Sequence, residues 1–220
     1  GRDERVAIKV HFGEQGNTRF VPPEHIAPVI AALHTEDCHP FLTDANTLYR
    51  GMRYNAADHR RIALEHGFGT LDIPIVIADG EDGSEERIVP IAGRIFAQVR
   101  IARAIAEADV IVAISHFKGH VMFGFGGAIK NLGMGSGSRA GKLAMHSKIH
   151  PRIGSGCTAC GACVENCAAH AVSLIDDQAV IDSTLCTGCA KCIAVCASGV
   201  IDVPWGGATA REVQARCAEY

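Results

Sequence analysis

The stretch CTACGACVENCA, residues 157–168, carries four cysteines in the spacing C-x2-C-x2-C-x3-C. The same spacing returns in CTGCAKCIAVCA, residues 186–197, with each cysteine 29 positions after its counterpart. The pair Ala171-Val172 falls on Val200-Ile201 at the same offset, so the similarity extends beyond the cysteines. A repeat of this kind indicates a duplicated structural unit.

The two copies contain eight of the ten cysteines and lie within one quarter of the chain. Disulfide frameworks belong mostly to small secreted domains, so metal ligation is the better interpretation of this clustering. Zinc is one alternative, because C-x2-C pairs also build zinc ribbons. Four-cysteine runs with the final x3 spacing, present twice, favour iron–sulfur cubanes over zinc.

The repeat resembles the bacterial two-cluster ferredoxins, in which the fourth cysteine of each run, at a helix start, ligates the other cluster. The family usually has proline after that cysteine, whereas Ala168 and Ala197 occupy those positions here. The resemblance implies an α+β domain whose hairpin turns at Asp176-Asp177. It also implies two [4Fe-4S] clusters, one on Cys157, Cys160, Cys163 and Cys196 and the other on Cys186, Cys189, Cys192 and Cys167.

Residues 1–150 alternate between strand-like and helix-like segments. This alternation predicts an α/β domain with a mostly parallel layered sheet and covering helices. The domains are then 1–150, the ferredoxin-like 151–203 and a C-terminal helix or tail at 204–220. Predicted strands are 5–12, 39–44, 73–79 and a buried one at 108–115, with helices at 22–34, 55–67 and 103–108 and an antiparallel insertion at 87–102.

Polar, glycine-bearing segments follow the first, second and fourth of these strands. Ligands collect at the carboxyl ends of strands in such sheets, glycine allows close backbone approach, and a helix start attracts anions. Neither a P-loop nor G-x-G-x-x-G is present, so no generic nucleotide site is predicted. The candidate catalytic residues are His116, Lys118, His120 and Lys130, and the candidate cofactor-binding residues are His11, Asp44, Asn46, Gly126, Gly127 and Asn131.

Each of these candidates has a structural alternative. His116 and His120 could ligate a metal if helical, but Gly119 between them favours a polar loop wall. Asp44 and Asn46 could merely form an Asx turn. Lys130 could simply attract an anion at a helix start. Lys9 points into a site if its strand is buried on both faces, or to solvent if that strand is an edge. A basic run between the domains could bind phosphate or carboxylate but more often forms a solvated face; it comprises Arg139, Lys142, His146, Lys148, His150 and Arg152.

The chain resembles the domain of unknown function 362 family, in its form fused to a two-cluster ferredoxin. The resemblance is carried by VAIKVHFGEQGNT (6–18), FLTDANTLYRG (41–51), ADVIVAISHFKGHVMFGFGGAIKNLGMG (108–135), SRAGKLAMHS (138–147) and the cysteine repeat. Members usually carry further sequence on both sides, so this chain is expected to be a trimmed form. The family's reaction is not established, and the resemblance therefore implies architecture more than chemistry.

A fainter similarity links the chain to the lactate racemase family. Those proteins hold a nickel pincer nucleotide through a lysine in a GG-x-K segment, with a histidine ten residues earlier. Here His120 and Lys130 are ten apart, and GGAIK at 126–130 inserts one residue into that pattern. This similarity implies a nucleotide-like cofactor near Lys130.

The composition narrows the class of function. Twenty-one Lys and Arg against twenty-four Asp and Glu give a formal charge of -3, which disfavours nucleic acid as a partner. The longest aliphatic run, VIVAI at 110–114, is too short to span a membrane, so a cytoplasmic protein is expected. We expect an iron–sulfur redox protein whose relay serves an anion or cofactor site, its partner being a redox protein or small anionic substrate. A non-enzymatic electron carrier or assembly subunit and a nickel-pincer-like enzyme with accessory clusters are the alternatives.

Overall fold

The computed structural model describes residues 2–146, 150–203 and 207–220. Lys148 and residues 204–206 of the predicted C-terminal segment lie outside these ranges. The strands are β1 (Arg5–Lys9), β2 (His39–Asp44), β3 (Ile75–Ile77), β4 (Glu86–Pro90), β5 (Gln98–Ala102), β6 (Val110–Ala113), β7 (Lys118–His120), β8 (Gly124–Gly126), β9 (Arg152–Ile153), β10 (Val172–Ile175), β11 (Gln178–Ile181) and β12 (Ile201–Asp202). The α-helices are α1 (Ala27–Thr35), α2 (Ala56–Glu65), α3 (Arg103–Ala106), α4 (Ala128–Ser136), α5 (Arg139–His146), α6 (Ala162–Glu165), α7 (Lys191–Val195) and α8 (Ala210–Glu219).

A four-stranded parallel sheet in the order β3-β2-β1-β6 forms the centre of the larger unit. The predicted mixed α/β architecture with parallel strands is therefore confirmed. β1 lies between β2 and β6, with Ile8 opposite Leu42 on one side and Val112 on the other. The alternative that placed Lys9 on an exposed edge strand is wrong, because β1 is central and Lys9 is buried.

One face of the sheet packs against α1 and α2. Ile8, Val10 and Leu42 form the core there with Ile30 of α1 and Ala63 of α2. The asparagine that begins the second helix acts as predicted, since the Asn55 side chain accepts a hydrogen bond from the Asp58 N–H at 2.8 Å. These helices cover one face of the sheet and leave the carboxyl ends of its strands uncovered.

Two expectations for the larger unit change in the structure. The segment predicted as a buried strand at 108–115 forms β6, an edge strand whose Val110 and Ile111 are exposed. Its apolar composition indicated a strand but could not give its place in the sheet. The long loop after β6 also contains a two-stranded hairpin, β7-β8, which bends His120 and Gly126 back toward the sheet.

The cysteine repeat forms a second unit with duplicated backbone conformation. Left-handed residues recur at the 29-residue offset, with Ala159 matching Gly188 and Gly161 matching Ala190. Asp176 and Asp177 have positive φ in the β10-β11 turn, so the predicted hairpin is present.

The fourth cysteine of each run lies elsewhere than expected. It was predicted at a helix start, but Cys167 follows α6 and Cys196 immediately follows α7. The helices begin earlier because Gly161 and Ala190 turn the chain directly before them, which brings the third cysteine of each run inside the helix.

The C-terminal helix returns from the cysteine unit to the larger one. α8 begins with a capping box between Thr209 and Glu212 and packs on α4, where a Cβ at Gly133 would lie 2.1 Å from the Cys217 carbonyl oxygen. The Glu219 carboxylate accepts hydrogen bonds from backbone N–H groups of residues 94–96. No helix in the described ranges is long and apolar enough to cross a membrane.

Candidate functional site

A cavity of about 370 Å³ opens at the carboxyl edge of the parallel sheet. The segments after β1, β2 and β6 supply its sides, and the start of α4 and part of α5 close it. Six Lys and Arg side chains line it against two carboxylates, which makes it strongly cationic. The cationic and acidic groups are Lys9, Arg19, Arg53, Lys118, Lys130, Lys142, Glu14 and Asp44.

Asp44 neutralises the charges at the floor of this cavity. Its Oδ1 accepts a hydrogen bond from Lys9 Nζ at 2.8 Å, and its Oδ2 lies 3.2 Å from Arg53 Nη1. The His59 ring lies beneath, with Nε2 3.5 Å from Oδ2. Burial alone raises the pKa of Asp44, but Lys9, His59 and Arg53 outweigh it and hold that pKa well below its usual range. Asp44 is therefore ionised and its contacts hold β1, β2 and α2 together.

A second ion pair extends the floor toward the opening. Arg53 Nε donates to Glu14 Oε1 at 3.0 Å, and Arg53 Nη2 donates to the Tyr49 hydroxyl at 2.8 Å. Burial opposes ionisation of Glu14, yet the hydrogen bond and charge of Arg53 lower its pKa. Burial raises the pKa of Tyr49 to about 12. Both floor cations thus have carboxylate partners within the protein.

The wall built by the β7-β8 hairpin and α4 is different. Lys118 and Lys130 form no ion pair with any carboxylate in the described part of the chain. Lys130 Nζ instead lies 5.5 Å from the Phe123 ring centroid, and burial lowers its pKa. Burial and the charge of Lys130 also lower the pKa of His120, whose Nδ1 accepts hydrogen bonds from Met122 N and Phe123 N. An anion would satisfy these cations.

Three buried bases adjoin the wall and the floor. Burial, with the nearby Arg53 charge, lowers the pKa of His11 to about 3. Burial, with Lys130 nearby, lowers the pKa of His146 to about 4. Burial lowers the pKa of Lys142 to about 8, although the Asp79 carboxylate opposes the shift. At neutral pH the two imidazoles are neutral, and Lys142 can exchange a proton near that pH.

Gly126 and Gly127 bring backbone to the cavity surface before α4. Neither has a φ in the left-handed region, and a Cβ on either would come no closer than 3.5 Å to protein atoms outside its chain neighbours. Gly135 is different, because a Cβ there would lie 2.8 Å from Lys9 Nζ. Packing within the protein therefore requires glycine at 135. At 126 and 127, by contrast, the absence of a side chain leaves space inside the cavity.

The structure brings nearly all the predicted site residues together. Asn46 does not line the cavity, because its side-chain amide donates to Asp79 Oδ1 at 3.0 Å and to the Gly80 carbonyl at 2.8 Å. The other predicted members line it: His11, Asp44, His116, Lys118, His120, Gly126, Gly127, Lys130 and Asn131. Lys9 also lines it, and Asn131 Oδ1 accepts from Lys9 Nζ at 2.8 Å.

Several cavity residues were missed or misread in the sequence. Glu14 lies in the predicted strand-end segment at 9–18 and could have been included on that ground, whereas Arg53 lies two residues beyond the segment at 43–51. The interpretation of the basic run as a solvated face is wrong for Arg139 and Lys142, which are 1% and 6% exposed. The apolar residues on either side of them in α5 were the available signal, since they indicate a buried helix.

The cysteines surround two small cavities in the second unit. One is lined by Cys157, Cys160, Cys163 and Cys196, and the other by Cys167, Cys186, Cys189 and Cys192. Each set thus combines three cysteines of one copy with the fourth of the other. No group of three or more His, Cys, Asp or Glu within the described ranges is arranged to hold a single metal ion.

These features define an α/β protein with a cationic cavity at the strand ends and two four-cysteine cavities in a smaller unit. The family model described as domain of unknown function (DUF362) matches residues 6–207, so the chain belongs to this family. Comparisons with curated proteins and with solved structures gave no significant match.

Proposed function

We propose that the protein is an iron–sulfur redox protein in which two [4Fe-4S] clusters exchange electrons with an anion bound in the cationic cavity. The observation that carries this proposal is the exchange of the fourth cysteine between the two small cavities. That exchange is the ligand arrangement of the two-cluster ferredoxins, in which the fourth cysteine of each run ligates the other cluster. The clusters would supply single-electron transfer, with a one-electron carrier protein as the external partner.

The surroundings of the thiols fit such clusters. Backbone N–H groups already approach the sulfurs, with Ala171 N 3.2 Å from Cys167 Sγ and Ala179 N 3.4 Å from Cys157 Sγ. Hydrogen bonds to cluster sulfur are one of the means by which a protein raises the reduction potential. The donor set is all thiolate, which favours iron–sulfur clusters or zinc over harder metals. The duplicated C-x2-C-x2-C-x3-C spacing favours the cubane.

The chain's own residues would bind and orient the anion in the cavity. Within the described ranges Lys118 and Lys130 have no carboxylate partner, so both supply positive charge, and the start of α4 has no side-chain cap. His11 is neutral and can accept a proton, while Lys142 can donate one near neutral pH. Reduction of a bound substrate requires protons as well as electrons, and Lys142 would deliver the protons.

Two other functions remain as proposals. In a non-enzymatic carrier or assembly subunit, the cavity would serve only as part of a docking scaffold. A nickel-pincer-like nucleotide enzyme is favoured by one observation: His120 and Lys130 line the same cavity. That function predicts nickel in the purified protein and a mass adduct on Lys130.

The decisive experiment is purification without oxygen, followed by iron, zinc and acid-labile sulfide analysis and mass spectrometry of any bound small molecule. We expect about eight irons and eight sulfides per chain, as two [4Fe-4S] clusters require. Colourless protein with zinc and no sulfide would overturn the proposal.

Variants then separate the enzyme from the carrier. Lys130→Ala is expected to retain its iron and lose the co-purifying anion, whereas Arg61→Ala, on the exposed face of α2, should retain both. A carrier would reduce its partner protein equally well with either change. Retention of the anion by Lys130→Ala would exclude Lys130 from the site.

A further inference from the structure

The segment Thr47–Tyr54 connects the cationic cavity with the cysteine unit. Thr47, Leu48 and Tyr49 line the cavity. Leu48 is also buried in the apolar core of the cysteine unit, together with Cys163 and Cys196. One short stretch of chain therefore contacts both the proposed substrate site and one cysteine set.

Arg50 in this segment is directed at Cys196. Its Nη2 donates a hydrogen bond to the Cys196 carbonyl oxygen, and its guanidinium carbon lies 5.4 Å from the Tyr54 ring centroid. A Cβ at Gly199 would lie 2.8 Å from Arg50 Nε, so the side chain is seated against the turn that follows Cys196. Among the described residues, no carboxylate pairs with it.

Tyr54 and Arg139 hold this arrangement in place. The Tyr54 hydroxyl donates to the Ile193 carbonyl of α7, and the Arg139 guanidinium carbon lies 4.3 Å from the centroid of the same ring. Arg139 Nη1 donates to the Thr47 carbonyl at 3.0 Å, which fixes the other end of the segment. These contacts hold the guanidinium beside Cys196, although Arg50 is an exposed residue.

The other cysteine set has no unpaired cation among the described residues that line its cavity. Lys191 lies beside Cys192, but its Nζ pairs with the Asp82 carboxylate. The Cys167 carbonyl accepts a backbone hydrogen bond from His170 N at 2.9 Å, and the matching Cys196 carbonyl accepts one from Gly199 N at 3.1 Å. Among the described residues, the guanidinium donor to the Cys196 carbonyl has no counterpart at Cys167. The two sets are thus alike in ligands and unlike in their electrostatic surroundings.

We infer that Arg50 raises the reduction potential of the cluster held by Cys157, Cys160, Cys163 and Cys196 above that of the other cluster. A reduced cluster carries one more negative charge, and an unpaired cation beside its ligand stabilises that state. One electron supplied by a carrier protein would then pass from the cluster containing Cys186, which is oxidised by one electron, to the cluster containing Cys196, which is reduced by one electron. No bond forms or breaks in that transfer. Arg50 would act by placing a positive charge beside the cluster and would not itself react. The inference rests on the proposed clusters.

The test is a redox titration of the anaerobically purified protein, followed by electron paramagnetic resonance. The unchanged protein should show two potentials. Arg50→Ala should lower the higher reduction potential and leave the lower potential unchanged. Arg50→Lys should restore most of the higher potential, and Arg61→Ala should change neither potential. Equal potentials in Arg50→Ala and Arg61→Ala, or a shift of the lower potential instead, would overturn the inference.

Cys160→Ser assigns the signals. Cys160 is exposed and belongs to the set that contains Cys196. This change should alter or remove the higher-potential signal, and the signal that it leaves intact belongs to the other set. Loss of the lower-potential signal instead would contradict the assignment. Protein without iron would refute the proposed function, whereas two clusters insensitive to Arg50 would refute only this inference.

Discussion

The floor and the wall of the cationic cavity both contain lysine or arginine side chains, but they differ in whether a carboxylate of the protein pairs with them. On the floor, Lys9 and Arg53 each lie against a carboxylate that is ionised in the folded protein. On the wall, Lys118 and Lys130 have no such partner within the described residues. The difference teaches that cationic lining alone does not identify a ligand site. The floor charges stabilise the junction of three elements, and the wall charges are available to an anion.

The comparison predicts its largest effect at Asp44. Asp44→Ala leaves Lys9 and Arg53 buried without their shared carboxylate, and loss of one partner of a buried ion pair costs about 3–5 kcal/mol. We expect urea unfolding to show a loss of that size. Lys118→Ala, at an exposed wall position, should change the free energy of unfolding by less than about 0.5 kcal/mol. Comparable losses in the two variants would contradict the division between floor and wall.

The next largest expected effect is a loss of folding stability at acidic pH that arises from His11. The pKa of His11 is lowered from 6.5 to about 3, and its Nδ1 accepts a hydrogen bond from Gly13 N at 2.9 Å. The unfolded chain therefore binds a proton that the folded chain does not between those pH values, so stability falls as pH decreases from 6.5 toward 3. Between pH 7.5 and pH 5 this histidine should cost about 2 kcal/mol.

His11→Gln should remove that part of the acid dependence. Between pH 7.5 and pH 5, we expect the free energy of unfolding of this variant to fall by about 2 kcal/mol less than that of the parent protein. His25→Gln changes an exposed histidine and should follow the parent. Equal pH dependence in all three proteins would mean that His11 is not held neutral beside Arg53.

The smallest expected effect concerns the glycines of the wall. Gly126→Ala or Gly127→Ala places a methyl group in the cavity without a clash, so folding should be nearly unchanged. Binding of inorganic phosphate, measured by titration calorimetry, should weaken about tenfold, or about 1.4 kcal/mol. Gly119→Ala is the matched control, because it lies in the same hairpin and its Cβ meets open space outside the cavity lining. Equal weakening by all three changes would indicate a general distortion of the hairpin.

The sequence predicted the parts of this molecule that depend on local pattern. Strand alternation gave β2 with its observed bounds and the helix that begins after Asn55. The strand-end rule brought His11, Asp44 and Lys130 to one edge, because parallel strands end on the same side of a sheet. The exchange of the fourth cysteine between two clusters stays a prediction, and the lining of the two small cavities agrees with it.

Long-range pairing could not be obtained from one sequence. The Lys9 partner is 35 residues away and the Arg50 partner is 146 residues away, and no local pattern specifies either contact. The position of β6 at the sheet edge depends on strand order, which the apolar composition of the strand does not specify. The Asn46 contact could not be predicted for the same reason, since its side chain bonds to Asp79, 33 residues away.

The return of α8 to the larger unit has a mechanical consequence. The chain leaves for the cysteine unit after α5 and comes back to α4 and α5 through α8, whose Arg216 Nη1 donates to the Ala144 carbonyl at 3.1 Å. A module joined at both ends cannot swing as one on a single tether does. Under the proposed function, these two attachments would keep the cysteine unit close to the cavity, and the transfer rate would not depend on a diffusive search.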